Sequence, residues 1–296
     1  MNALQERKSL WRAGIIALVG LVVYVAITSA IAAFIQPAFG DQWLTPIGVV
    51  LALIPAVLWM IFFYTQDSSE PEPRAYVIAI AVLGALLAAA VGQPLINNFF
   101  RASSWIGRDT LTEILGSILV VGFTQEFLKY AAVRFSIYYS SEFDQRVDGV
   151  IYGTAAGIGY AACLNIATIA ASGGISGAEL SAGAIRMVVT TLAQGALGGL
   201  VGYFIARAKF DDEPVWWMPV GLAIAATVNG LFTWLSGEIT RAPLSIDASG
   251  LGSGGYTPWP ALALSALVAI VLFGVIFLLI RRAQQLTLAG ADTDGK

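Results

Sequence analysis

The chain has 296 residues, 57% of them hydrophobic and only 12% charged, with a mean hydropathy of +0.77. Soluble domains carry about 25% charged residues, so a soluble globular domain is excluded. The net charge of −3 says nothing about nucleic acid, but with no basic stripe or nucleic-acid motif no nucleic-acid partner is expected. One cysteine, Cys163, excludes an internal disulfide framework, and the lack of histidine excludes His-ligated metal sites and Ser-His or Cys-His dyads.

Crossing an apolar core of about 30 Å takes about 20 mostly apolar residues. Eight stretches qualify, at 13–35, 45–64, 76–96, 111–137, 150–172, 182–206, 215–235 and 259–280. None alternates as a strand does, and lipid admits only helices or closed barrels. The expected fold is therefore an all-α polytopic bundle of about eight transmembrane helices. It forms one domain over 13–280, with tails at 1–12 and 281–296. The first stretch is too long and unbroken for a secretory signal. Breaker residues mark the connectors: Gln36-Pro37, Glu70-Pro71-Glu72-Pro73, Gly173-Gly174 and the Gly/Ser-rich 249–255. The longest connector, 236–258, has room for a lid or re-entrant turn.

With the N-terminus placed in the cytoplasm, Arg101, Arg108 and Arg241 fall on the outer face, with Arg186 near its edge. The other loop and tail cations, from Arg7 to Lys296, fall on the inner face. The positive-inside rule then predicts both termini cytoplasmic. Glycines crowd the fifth and sixth stretches at Gly153-x-x-x-Gly157 and Gly195-x-x-Gly198-x-x-x-Gly202. Such spacing lets helix backbones approach closely, within the bundle or against a partner helix. Cys163 reads as a small packing residue. Asp148, ahead of an apolar run, reads as a helix cap.

The fourth stretch carries Gln125-Glu126 with Lys129 one turn on. At 1.5 Å per residue, Glu126 lies roughly 16 Å inside the membrane. Charged groups at that depth need partners or a water-filled cavity. Spacing i, i+3 puts Glu126 and Lys129 on one helix face. The pair reads equally as a buried ion pair that fixes packing or as a general base beside a tuning cation.

The string from Gln125 to Ala170 resembles the core of the PrsW family of glutamic-type intramembrane proteases, within the CAAX-type prenyl-protease superfamily. Glu126-x-x-Lys129, the connector Glu142-Phe143-Asp144, the following Asp148-Gly149 and the acidic-proline loop Glu70-Pro71-Glu72-Pro73 carry the resemblance. It spans about 53–235. It implies a catalytic group at Gln125, Glu126 and Lys129, and a substrate or oxyanion pocket from Tyr160, Leu164, Asn165, Gln194 and Asn229. At four positions the chain departs from the family pattern. Gln125 stands for the first glutamate of the pair, Leu164 for a glutamate, and Gln194 and Asn229 for histidines.

Amides donate hydrogen bonds but do not shuttle protons near neutral pH, and Leu164 offers no polar atom. The expected function is a catalytically impaired homologue, a pseudoprotease, that binds or regulates a transmembrane segment of a partner in the lipid bilayer. No metal or other cofactor is expected. The alternatives are an active endopeptidase using Glu126, with Gln194 and Asn229 as oxyanion donors, and a transporter or lipid-binding protein whose polar cavity these residues line. The expected location is a bacterial-type plasma membrane.

Overall fold

A computed structural model describes residues 3–31, 34, 41–64, 72–171, 173, 180–241 and, in part, 263–285. These are helical throughout apart from connectors. Helix α1 is Ala3–Ala30 and α2 is Asp41–Tyr64, with Pro46 and Pro55 inside it. Helix α3, Arg74–Leu87, continues through π-helical stretches Ala88–Gly92 and Leu95–Phe99, and after a left-handed Arg101 the short α4, Ala102–Trp105, follows. Helix α5, Thr110–Gly116, runs through a π-helical stretch, Ser117–Gly122, into α6, Phe123–Arg134. The long helices α7 (Arg146–Ala171), α8 (Leu180–Phe210) and α9 (Trp217–Arg241) follow.

Six helical runs among the described residues are long and apolar enough to cross a membrane: Trp43–Tyr64, Arg74–Trp105, Thr110–Arg134, Arg146–Ala171, Gly183–Phe210 and Trp217–Leu235. They coincide with the second to seventh predicted stretches. The first contains a shorter apolar helix, Ile15–Ala30. The eighth falls largely outside the described residues, and its described positions are helical. Three boundaries differ most from expectation. Helix α1 begins at Ala3, so the tail expected at 1–12 is helical from there. Helix α9 runs to Arg241, so the predicted lid at 236–258 begins as helix, and its remainder from 242 lies outside the described residues. The third run extends past 96: the helix passes Pro94 and continues in π-helical form to Phe99, then bends at Phe100 and a left-handed Arg101 before the short α4 that ends at Trp105.

Helix α7 is the axis of the bundle, buried at every position from Val147 to Ala162. Its most extensive contact is with α8, and glycine on both sides permits it. A Cβ added at Gly153 would strike the Gly198 carbonyl and the Gly202 backbone, and one at Gly157 would strike Gln194 and Gly195. Lipid tails give apolar helices no hydrophobic drive to associate, so close backbone packing supplies the contact energy. The glycine stripes are therefore filled by α7–α8 packing.

The connector between α6 and α7 is tied down by polar groups. Asp148 lies in the first turn of α7 and accepts from the backbone N–H groups of Asp144 (2.9 Å) and Gln145 (2.5 Å). It reaches back to the chain ahead of the helix, as the acidic member of a capping box does. Phe143 stacks between Tyr152 and Phe210 at 6.1 and 5.9 Å. Lys209 donates to the carbonyls of Tyr138 (2.7 Å) and Phe143. Tyr152 donates to the Glu72 carboxylate, and Tyr64 donates to the Glu72 carbonyl at 2.9 Å. The motifs Glu142-Phe143-Asp144 and Asp148-Gly149 thus sit where three helix ends are fastened together.

Candidate functional site

Helix α6 follows its π-helical turn directly, and it presents Gln125, Glu126 and Lys129 to the bundle interior. Glu126 and Lys129 are fully buried. Lys129 Nζ donates to Glu126 Oε1 at 2.6 Å, and Asn229 Nδ2 of α9 donates to the same oxygen at 2.6 Å. Asn229 Nδ2 also donates to Gln125 Oε1 at 3.0 Å. Gln194 Nε2 of α8 donates to Gln125 Oε1 at 3.0 Å and to Asn229 Oδ1 at 3.3 Å. Gln125, Gln194 and Asn229 are buried as well.

The result is a ring of side chains from three helices with a fixed hydrogen-bond sense. Asn229 must turn its amide nitrogen toward Glu126, because the opposite flip would set its oxygen against a carboxylate. That choice turns its oxygen toward Gln194, which must then answer with nitrogen. Both N–H bonds of Asn229 and both of Gln194 are consequently engaged inside the ring. Glu126 Oε2 and Gln194 Oε1 are buried without a protein partner.

The remaining predicted positions divide. Tyr160 of α7 lies beside the ring, with Lys129 Nζ 5.8 Å from its ring centroid and a buried hydroxyl without a protein partner. Leu164 packs with Tyr160, Leu128 and Ala88 in an apolar cluster one turn further along α7, so this flank of the site is greasy. Cys163 joins the same cluster, as a packing residue does. Asn165 is directed elsewhere. Its amide donates to Met187 O and Thr191 Oγ1 of α8, each at 3.3 Å, and makes no hydrogen bond to the ring. Position alone ranked Asn165 with Tyr160, but five residues at 3.6 per turn exceed one turn, and the extra angle rotates it toward α8. The π-helical stretch Ala88–Gly92, whose Gly92 admits the Tyr160 hydroxyl, was not foreseen. Only the small-residue run Ala88-Ala89-Ala90-Val91-Gly92 hinted at a close approach there.

A family model described as "PrsW family intramembrane metalloprotease" matches residues 72–279, well over half of the chain. This chain belongs to the PrsW family. "Protease PrsW" of Halalkalibacterium halodurans is 25% identical over 182 residues, which cover 61% of this chain and 79% of the relative. "Protease PrsW" of Bacillus subtilis is 23% identical over 185 residues, covering 62% and 79%. That of Oceanobacillus iheyensis is 26% identical over 157 residues, covering 53% and 67%. No solved structure matches. Family membership makes this an integral membrane protein, in keeping with its apolar helices.

The family description implies a metal ion, and the side chains here do not fit one. Glu126 is the one carboxylate of the ring, and its Oε1 already receives an ammonium and an amide N–H. Apart from Lys129, whose ammonium has no lone pair to offer, the other ring members are carboxamides, weak ligands beside imidazole or carboxylate. Among the described residues no group of three His, Cys, Asp or Glu side chains is placed to hold a metal ion. What the ring offers chemically is one carboxylate oxygen, Glu126 Oε2, able to accept a proton, next to a fixed positive charge.

Proposed function

We propose that this PrsW family member binds a transmembrane segment of another membrane protein and is impaired as a protease. Family membership supports the binding, and one observation carries the impairment: the four amide N–H groups of Gln194 and Asn229 are engaged within the ring. Hydrolysis of a peptide bond needs donors aimed at the oxyanion that develops, held ready before it forms. Amide groups that already bond to Gln125, Glu126 and each other must first break those bonds. Full burial of Glu126 and Lys129, with Leu164 on the flank, adds to this by keeping water from the carboxylate.

The test is reconstitution in liposomes with single-span substrates, comparing the chain with Glu126→Ala. Equal background cleavage in the two is expected, together with photocrosslinks from the bilayer-embedded helices to a partner segment. Glu126-dependent cleavage at ordinary enzymatic rates, or crosslinks to lipid alone, sinks the proposal.

A second reading, an active endopeptidase, is favoured by one feature. Glu126 Oε2 is without a protein partner while Lys129 holds Oε1, which leaves one oxygen to act as a base if the bundle opens to admit water. The same assay separates the two. The proposed setting is a bacterial plasma membrane with both termini in the cytoplasm, supported by the Lys/Arg distribution and by relatives from Bacillus and its kin.

A further inference from the structure

We propose that the core of this chain takes no divalent metal ion, and that the Glu126–Lys129 ion pair with its amide ring stands in place of a metal centre. The inference parts company with the family's description and concerns binding, so it is independent of whether the chain cuts peptides.

Three observations combine. First, the carboxylate is already compensated. Lys129 Nζ lies 2.6 Å from Glu126 Oε1, and both side chains are fully buried. A dication bound to Glu126 would sit within a few ångströms of that ammonium, where low dielectric leaves the repulsion nearly unscreened.

Second, the amides are turned the wrong way. The faces of Asn229 and Gln194 that point at Glu126 and Gln125 are N–H donors, whereas a metal needs oxygen or nitrogen lone pairs. Flipping Asn229 to offer its oxygen would bring that oxygen against Glu126 Oε1 and Gln125 Oε1. The ring is therefore self-consistent only without a cation.

Third, the donors do not add up. A zinc site takes three protein ligands plus water, or four. The unpartnered oxygens of the ring are Glu126 Oε2 and Gln194 Oε1, one carboxylate and one carboxamide, and Tyr160 and Leu164 flank it.

The measurement is metal content by mass spectrometry of protein purified on a non-chelating affinity tag, with thermal melting in added zinc or in chelator as a second readout. The wild-type chain is expected to carry well below one equivalent of zinc, manganese or cobalt, and its Tm is expected to be unmoved by zinc or chelator. The quadruple substitution Gln125→Glu, Gln194→His, Asn229→His and Lys129→Met supplies three ligands around Glu126 and removes the ammonium. It is expected to gain about one equivalent, with a Tm that rises on zinc addition, and to lose both on further Glu126→Gln. A stoichiometric metal in the wild type that Glu126→Gln removes overturns the proposal. So does a folded quadruple variant that binds no more metal than wild type, because neither donor identity nor the ammonium would then be what excludes the ion. Metal that survives Glu126→Gln lies outside the ring and leaves the proposal standing. Cleavage without metal would sink the proposed function and spare this inference. A metal-bound, inactive chain would do the reverse.

Discussion

At the residue scale, Glu126 and Lys129 compensate one another in a place where neither could stand alone. Moving a single charge into the protein interior costs several kcal/mol, and an ion pair offsets this only with good geometry and further hydrogen bonds. The 2.6 Å contact and the Asn229 amide supply both. Lys129→Met should therefore destabilise the bundle by about 3–5 kcal/mol, read as a lowered midpoint in detergent or denaturant melts. The double change Glu126→Gln with Lys129→Met should recover most of the loss, since no uncompensated charge remains. Additive losses would mean the two groups do not depend on each other. Asn229→Leu strips one of two donors from each of Gln125 and Glu126 and leaves the Gln194 N–H aimed at Asn229 Oδ1 without its acceptor, and about 1–3 kcal/mol is expected for that buried group. The same melts check it against Asn229→Ser, which keeps a donor and should lose less.

Elements are joined by two different devices. Between α7 and α8 it is the absence of side chains. Gly153→Leu would force a Cβ into the Gly198 carbonyl and Gly202 backbone. Pushing two helices apart over their longest contact should cost at least the roughly 1–3 kcal/mol typical of overpacking. Loss of the folded fraction in detergent chromatography reads this out. Ala170→Leu, at an exposed position near the end of the same helix, is the comparison and should leave the folded fraction unchanged.

At the helix ends the device is ionic. Asp211, just past α8, receives Arg146 and Arg207, each at 2.8 Å. Partial burial works against the charge of Asp211, but the hydrogen bonds and charges of the two arginines outweigh it and hold the carboxyl below its usual range. A carboxyl lowered in the folded state contributes stability above its unfolded value, about pH 4. That contribution fades as pH falls through the lower folded value. The Tm gap between wild type and Asp211→Asn should thus be widest near neutral pH and close as the solution is made more acidic than about pH 4. A gap independent of pH would show that the pairing contributes nothing through charge.

For the whole molecule, the scaffold is a bundle with a buried, glycine-packed axis, and the polar ring is buried against that axis. Cysteine-accessibility mapping on a chain with Cys163→Ser should label introduced cysteines near residues 2 and 290 from the cytoplasmic side only. Labelling of the two ends from opposite sides would overturn the cytoplasmic placement of both termini. How much of this was legible in the sequence differs by level. Six spans could be placed from the order of residues alone because apolar length is a local property, set by bilayer thickness and by the demand that every backbone group be bonded within its own segment. The pairing of Glu126 with Lys129 was equally local, since helical spacing alone brings i and i+3 together.

Other features needed three dimensions. That Gln125, Gln194 and Asn229, between 35 and 104 residues apart, bond to one another depends on how α6, α8 and α9 cross. That Asn165 turns away from them to Met187 and Thr191 depends on the rotation of α7 about its own axis. The sense of the amide ring, which decides what its N–H groups can still do, follows from a chain of contacts that begins at one carboxylate. Composition and periodicity determined by themselves that this is a membrane bundle with an ionisable pair at its heart. Only tertiary packing decided which groups that pair touches, because hydrogen-bond direction is a property of neighbours in space and leaves no trace in the linear chain.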